Sequence, residues 1–600
     1  AGSGVSMWGA ANCATAITSP VAGSTECLDT TRGVWNNYDG TGWQSDAALA
    51  TKIINVTDPR WGAKCDGATD DTAAVRSALA AVPTAGAIVQ FPAGTCLVGG
   101  AAFTAIPVLA NTWLRGTGRA TIIKLTATSS ITHVAVFSLD GNAIIVSDLT
   151  LDGNKAGQVI QNDDNVQNGL YASGRTGLVV RNTRITATAR HGIRFIDTAG
   201  AVVVRNEVDN HNVHGIFVAA SAATQSGLLV AENSVHDNGN SATNDDGTGI
   251  AISGVPDPTN RFINYARVIG NEVYANRRNG IYLLATRYAT VSGNIAYTNR
   301  AHATVAYGIL ITNTSRFTTT TGNVVFDNRE GIGIDTSNGG NIHGDHAVVG
   351  NFADANLQSG IRVQGTPSVL ISGNYTRNNL NQGILLSDAT TSTVVNNVVT
   401  GNAAYGINVA NASLAVVRQV IRGNTITSNG SGGTHDTGIR VAISGGSIAN
   451  LTIEDNLFNA NNQYGIHVQT GTPTGLVMNR NIFLNSVTSG FGSLPSDANF
   501  TQRSDNVPFA TISGVNLGRA TTVSIGGGAL IAGQCTSGTV AVTGATTAMT
   551  VLVSHNTDPG ANNIMYYAFV SSANTVTVRV CALIAATPTA STYNVRVMDQ

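Results

Sequence analysis

Six of the fourteen tyrosines in this chain, Tyr265, Tyr274, Tyr282, Tyr288, Tyr297 and Tyr307, fall within residues 265–307. Seven arginines, Arg261, Arg267, Arg277, Arg278, Arg287, Arg300 and Arg316, lie between 261 and 316, against one acid, Glu272. A tyrosine offers an apolar ring and a polar tip, which suits a sugar ring. An arginine presents paired donors that match a carboxylate. Together these residue types point to contact with an acidic polysaccharide. A plainer reading also fits: tyrosines recurring from one repeat to the next can stack on one another and simply stabilise the surface.

Two cleavage chemistries are open to such a site. In β-elimination an arginine neutralises the uronate while a tyrosine or histidine takes the proton at C5. The candidates for that proton are Tyr274, Tyr282, Tyr297, Tyr307, His236 and His302, with Arg277, Arg278, Arg287, Arg300, Arg316 and Tyr288 holding substrate. Hydrolysis needs two carboxylates flanking the bond, about 5 Å apart when retaining and about 6.5–9.5 Å when inverting. Asp237, Asp246, Asp327, Glu330 and Asp335 are the acids near the patch. Glu330 and Asp335 share one repeat, but five residues of strand can separate them by ~15 Å, so each is expected to pair with an acid on another rung or across a subunit boundary. Elimination is the first reading and hydrolysis the alternative.

Other site chemistries find little support. The Asn-Thr-Asp, Gly-His-Gly and Arg-Ile-Lys set of polygalacturonases is absent, as are GGxGxD repeats, a GxSxG elbow and a P-loop. The loops 162–165 (NDDN) and 244–246 (NDD) have ligands for calcium, but Asx residues turning corners explain them better, so no cofactor or metal is predicted. His343, Asp345 and His346 read as a polar loop. No CxxC spacing occurs; Cys13/Cys27, Cys65/Cys96 and Cys535/Cys581 form three sequence-local pairs, either disulfides or buried thiols.

The residues that must position any site repeat visibly. Gly-Ile steps (once Gly-Leu) begin at Gly169, Gly192, Gly215, Gly249, Gly280, Gly308, Gly331, Gly360, Gly383, Gly406, Gly438 and Gly465. Five of the eleven gaps equal 23 residues and the rest exceed it by 4 to 11, which means one structural unit with loop insertions. After each Gly-Ile the chain alternates, as in GIRVQG (360–365), so Ile361 and Val363 point inward and Arg362 and Gln364 outward. A second short strand and an Asn follow (Asn271, Asn294, Asn323, Asn351, Asn374, Asn397, Asn424, Asn456), suited to left-handed corners. The prediction is an all-β, right-handed parallel β-helix with rungs roughly 4.8 Å apart. The over-length gaps between Gly215 and Gly308 carry the tyrosines and arginines, where long loops on a stiff scaffold mount binding residues. In register, one outward column should read Asp209, His236, Tyr274, Tyr297, Phe326, Asp354, Arg377, and another Tyr171, Arg194, Phe217, Ala251, Tyr282, Leu310, Gly333, Arg362.

Composition sets the outer limits. With 11% charged residues and 67 glycines the chain is too apolar and β-rich to be disordered. A net charge of −2 gives no pull toward nucleic acid, and no apolar run approaches the ~18 residues of a membrane span. Residues 1–55 do not repeat and form an N-terminal segment; 56–495 hold the β-helix, with a capping helix near 70–82. That helix starts from Thr69, Asp70, Asp71 or Thr72 and carries the stripe Val75, Leu79, Val82. Short strands over 505–600 form a small antiparallel, sandwich-like cap. The opening AGSGVSMW shows no signal-peptide pattern and no initiating Met, so a docking region is expected to precede residue 1.

The stretch GAKCDGATDDTAAVRSAL…IVQFPAGTCLV, followed by LRGTGRATIIKL (114–125), resembles the start of pectate-lyase-like β-helices as found in bacteriophage tailspikes and related polysaccharide depolymerases. The resemblance is close over 61–125 and continues in style to about 490. It implies a helix plugging the bottom of the coil and a homotrimer that binds and cleaves capsule or lipopolysaccharide. It also implies a place in the virion tail, attached through a missing N-terminal region. The C-terminal strands resemble tail-protein caps that trimerise or bind glycan. A secreted bacterial lyase or epimerase, or a non-catalytic glycan-binding adhesin, would share the same scaffold.

Overall fold

The computed structural model describes residues 52–598 except 164, 240–246, 257–260, 336–343, 414, 431–436, 486–488, 493–499, 505, 507–518, 559 and 561–562. In the first fifty residues it describes the backbone of four strands, Ser6–Ala10, Thr25–Asp29, Val34–Tyr38 and Trp43–Ser45, which form one sheet. Asp246, the 244–246 loop, His343 and Cys13 lie outside the described residues, and Cys27 is described only as strand backbone.

Each repeat lays one short strand on each of three parallel sheets. The repeat at Gly360 shows the pattern: Ile361–Gln364, then Val369–Ser372, then Tyr375–Arg377, after which Ile384 pairs beside Ile361, 23 residues on. The Gly-Ile strands stack into a 15-stranded sheet, hereafter the Gly-Ile sheet, and the Tyr375-type strands into a 16-stranded second sheet. The Val369-type strands form the remaining one, running from Ile53–Asn55 to Phe500–Ser504. The coil therefore begins a little before residue 56 and outlasts residue 495. As the alternation requires, Ile361 and Val363 are buried and Arg362 and Gln364 half-buried. One apolar core runs unbroken from Ile54 to Phe491.

The structure supplies the reason for the Gly-Ile glycine, and it is close approach, not backbone freedom. A Cβ on Gly360 would stand 2.8 Å from Asn379 Nδ2 and 2.8 Å from the Gly383 carbonyl oxygen. That amide belongs to a ladder that sequence reasoning missed: Asn238, Asn276, Asn299, Asn328, Asn356, Asn379, Asn402, Asn429 and Asn461. Each side-chain amide donates to the Oδ1 of the next, as Asn379 does to Asn402 at 2.8 Å. Below them the series passes to His211, whose backbone N–H donates to Asn238 Oδ1. Its Nε2 lies 3.1 Å from the Ile185 carbonyl and its Nδ1 accepts from the Thr188 backbone N–H, so the imidazole is neutral. Burial drives its pKa down to about 3.

The asparagines expected at left-handed corners form a second ladder. Asn374 Nδ2 donates to Asn397 Oδ1 (2.9 Å) and to the Val348 carbonyl (2.8 Å), while its Oδ1 accepts from the backbone and side chain of Asn351. The left-handed residue is the one before: Gly270, Gly293, Gly322, Gly350 and Gly373 have φ of 62–64°. Buried amides that satisfy each other along the axis hold the rungs in register.

The predicted helix is Thr72–Ala80 (α1), which buries Val75, Ala78 and Leu79 against the first Gly-Ile strand, Ile106–Val108; Val82 packs on the core just past the helix end. Its Arg76 donates to the Ala105 carbonyl at 2.6 Å. Asp71 occupies the N-cap position without capping the helix; its carboxylate accepts from the Lys64 and Cys65 backbone N–H groups instead. Cys65–Cys96 and Cys535–Cys581 are disulfides. At the C-terminal end, Arg519–Thr521, Tyr593–Met598 and Thr550–His555 form one antiparallel sheet, and Cys535–Ala541, Thr575–Ala582 and Ile564–Ser572 a second, around a separate small core. Among the described residues no helix is long and apolar enough to cross a membrane.

Candidate functional site

Both predicted columns form, with the predicted neighbours in register. They stand on different sheets, and this divides the tyrosine–arginine patch into three places. His236, Tyr274 and Tyr297 point outward from the second sheet. Tyr282 and Tyr307 belong to the Gly-Ile sheet. Tyr265 and Tyr288 stack with Phe317 at the exposed corner after it, beside Arg287 and Arg316, which face each other on adjacent rungs. Arg287 itself lies over the Phe262 ring, 3.4 Å from its centroid.

On the second sheet, rings stack face to face: His236 on Tyr274 at 4.6 Å, Tyr274 on Tyr297 at 4.9 Å and Tyr297 on Phe326 at 4.9 Å. Each ring face that a sugar would use is already covered by the next rung. Tyr297 donates to Glu272 at 3.0 Å, and burial with that bond pushes its hydroxyl up to about 12; burial also pushes Tyr274 up. Neither phenol is set to act as a base near neutral pH. Below the stack, Arg184 reaches both oxygens of Asp209 at 3.0 Å and Glu207 at 3.2 Å. Burial works against the Asp209 charge, but the Arg184 and Thr186 bonds outweigh it and keep its pKa low. Glu207, Asp209 and His236 lie close enough to share an ion, and Arg184 already pairs with both acids. His236 Nδ1 lies 2.8 Å from Asp237, an exposed corner residue.

Several other predicted residues are engaged by local partners. Arg300 pairs with Asp327 at the corner after the stack. His302 Nδ1 accepts from the Thr304 and Val305 backbone N–H groups, capping its own turn. Arg277 and Arg278 are half-buried beside the asparagine ladder, their backbone N–H groups on Asn238 and Gly247. Asp163 Oδ1 accepts from the backbone and side chain of Asn165, and residue 164 between them lies outside the described residues.

The Gly-Ile sheet is different. Tyr307 and Glu330 are register partners at the start of their strands, and Gly333 lies between Glu330 and Asp335 on the next one. A Cβ on Gly333 would collide with the Tyr307 ring at 2.5 Å, so only glycine lets that ring lie flat on the strand. One rung on, Arg362 reaches Glu330 at 3.2 Å and Asp335 at 4.0 Å. A rigid guanidinium bridging both acids limits their oxygens to about 10 Å apart, well inside the ~15 Å expected for two acids on one rung. Burial raises the Glu330 pKa against the opposing pull of Arg362 and of the Ser359 N–H, which donates to it at 2.8 Å. Burial raises Tyr307 too, and the two carboxylates add to that against Arg362. The Asp335 side chain is more open, 15% exposed against 9% for Glu330. Sequence reasoning had Glu330, Asp335 and Tyr307 but not Arg362, although Arg362 stood in the outward column it drew.

Residues 53–303 match the rhamnogalacturonase A/epimerase, pectate lyase-like family. Residues 260–447 and 301–493 match the periplasmic copper-binding protein NosD family. Neither match reaches half of the chain. No curated protein matches. Among solved structures the chain is similar to the A-module of mannuronan C-5 epimerase AlgE4 from Azotobacter vinelandii, at 16% identity over 77% of this chain and 100% of that one, TM-score 0.39. It is also similar to a mutant tailspike of E. coli bacteriophage HK620 in complex with a pentasaccharide, at 14% over 93% and 96%, TM-score 0.49. A third is tailspike gp49 of Pseudomonas phage LKA1, at 12% over 91% and 99%, TM-score 0.43.

Proposed function

We propose that this chain binds and hydrolyses a bacterial surface polysaccharide, capsule or lipopolysaccharide, on the outer face of the Gly-Ile sheet. One observation carries the reading: Glu330 and Asp335 are gathered on Arg362 in unlike surroundings, beneath a tyrosine seated on Gly333. Two carboxylates whose environments differ are the parts of an acid–base pair. Glu330, enclosed and with a raised pKa, is the proton donor to the leaving oxygen. Asp335, the more open one, is the base or nucleophile. Tyr307, held protonated, donates to the Asp335 carboxylate and holds it in place. Elimination, the first reading from sequence, loses Tyr274, Tyr297 and Tyr307 as bases, because all three are shifted away from the basic form.

The setting of this reading is a homotrimeric phage tailspike. The resemblance over 61–125 and the C-terminal domain support it, since that domain leaves Leu552, Met565, Leu583 and Ile584 exposed. The test is depolymerisation of a panel of purified capsules and lipopolysaccharides by the wild-type chain, Glu330→Gln and Asp335→Asn. Both variants are expected to bind any polysaccharide that the wild type cleaves and to cleave it far more slowly. Full cleavage by either would sink the assignment.

A further inference from the structure

Where the Gly-Ile sheet turns toward the Val369-type strands, successive rungs set one left-handed residue above another. The series reads Gly177, Gly200, Gly227, Tyr265, Tyr288, Phe317, with φ between 53° and 77°. The strands that follow these residues pair in register, and the Gly227 N–H donates to the carbonyl of Asn264, the residue before Tyr265. Glycine takes this backbone without strain, whereas the Cβ of an aromatic crowds the neighbouring carbonyl. Three bulky rings in succession are therefore outliers, and strain of this kind collects at binding sites. Stacking offsets part of it: Tyr265 lies on Tyr288 at 5.2 Å and Tyr288 on Phe317 at 5.0 Å, with planes within 15°.

The stack is open at its lower end. Gly227, Gly200 and Gly177 below Tyr265 are exposed and carry no side chain, so over three rungs, roughly 14 Å, nothing from this corner rises against the ring. A Cβ on Gly200 would meet nothing within 4 Å, and one on Gly227 only the Gly200 backbone. Exposure climbs toward that end, from 42% at Phe317 through 48% at Tyr288 to 58% at Tyr265. The floor is flanked by exposed Thr176 and Ser226, whose hydroxyls suit a sugar better than an apolar protein surface. We propose that the Tyr265 ring and the glycine floor beneath it bind one pyranose of a surface polysaccharide by its apolar H1–H3–H5 face. A sugar lying flat on the ring takes the height of about one rung, which the floor leaves free. The site stands three rungs below Asp335, roughly 14 Å along the axis and around the edge of its sheet, so it holds a unit away from the cleaved bond. The proposal rests on the reading of the chain as one that handles polysaccharide, but not on its hydrolytic pair.

The test uses the full chain with methyl β-D-glucopyranoside, read by saturation-transfer NMR, and glycerol as the polyol without a ring. Transfer is expected at H1, H3 and H5 above H2 and H4, with glycerol silent. Tyr265→Asn puts a residue suited to left-handed backbone at the corner. It is expected to cut the transfer by about fivefold or more, with the oligomeric state unchanged by light scattering. Tyr265→Phe, which keeps the ring, is expected to keep the transfer. No transfer to the wild-type ligand, transfer kept in Tyr265→Asn, or transfer lost in Tyr265→Phe overturns the proposal. So does a change of oligomeric state in Tyr265→Asn, which would make the ring a contact between copies. Glu330→Gln separates the two readings. Transfer lost there and kept in Tyr265→Asn moves the sugar to the cleavage face and removes this site alone. Transfer that depends on Tyr265, in a chain that cleaves no polymer, leaves this site standing and removes the hydrolase.

Discussion

The second sheet and the Gly-Ile sheet are adjoining faces of one coil, and both present tyrosines beside acids and arginines. They differ in what the next rung places above each ring. On the second sheet four successive rungs supply rings, so Tyr274 and Tyr297 spend their faces on each other and on His236 and Phe326. On the Gly-Ile sheet the rung after Tyr307 supplies Gly333, then Arg362, which gathers two unlike carboxylates beside a single ring. A solenoid repeats its backbone, so a run of like side chains makes a stabilising stack. An interruption of the run makes a place for something else. The difference teaches that composition alone overrates the stack.

The comparison is broken most directly by activity. Glu330→Gln is expected to lower polysaccharide cleavage by about 10²–10⁴-fold, the range for loss of a general acid, as read by reducing-end release. Stability tests the wall between the two faces. Asn379→Ala orphans the Asn356 and Asn402 groups and the Ala353 carbonyl, and is expected to cost at least ~2 kcal/mol in denaturant unfolding. The foot of that ladder predicts a pH effect. His211 is neutral when folded, with its pKa depressed to about 3, whereas the unfolded chain takes up the proton near pH ~6.5. Its contribution is therefore complete above pH ~6.5 and is lost as pH falls, by about 1.4 kcal/mol per unit until ~3. His211→Asn, which extends the ladder, is expected to flatten that slope in unfolding followed from pH 7 to 4. The smallest effect belongs to the stack: Tyr297→Phe keeps the ring and loses one exposed bond to Glu272, so cleavage should change less than about twofold.

Much of the fold was legible because β-helix register is a counting problem. The 23-residue minimum gave the rung, the alternation in GIRVQG gave inside and outside, and both outward columns formed as drawn. The meaning of two signals was not legible. Gly360 and its equivalents looked like the start of a strand, but they exist to admit an amide from the residue equivalent to Asn379. Asn374 looked like a corner, but it is a rung of a buried ladder whose corner is Gly373. The site was half legible. Tyrosines clustered in sequence are spread around the coil by its three sheets, so a dense window from 265 to 307 is not a dense surface. The separation of Glu330 and Asp335 could not be read along their strand, because what gathers them is Arg362 on the next rung.

The central claim, that the chemistry lies at Glu330 and Asp335 and is hydrolytic, meets its most direct test in the products of a polysaccharide the chain degrades. The account predicts new reducing ends without the ultraviolet absorbance of an unsaturated uronate, abolished in Glu330→Gln and retained in Tyr297→Phe. A rise in that absorbance, surviving Glu330→Gln and lost on changing Tyr274 or His236, would contradict it and return the chemistry to the second sheet.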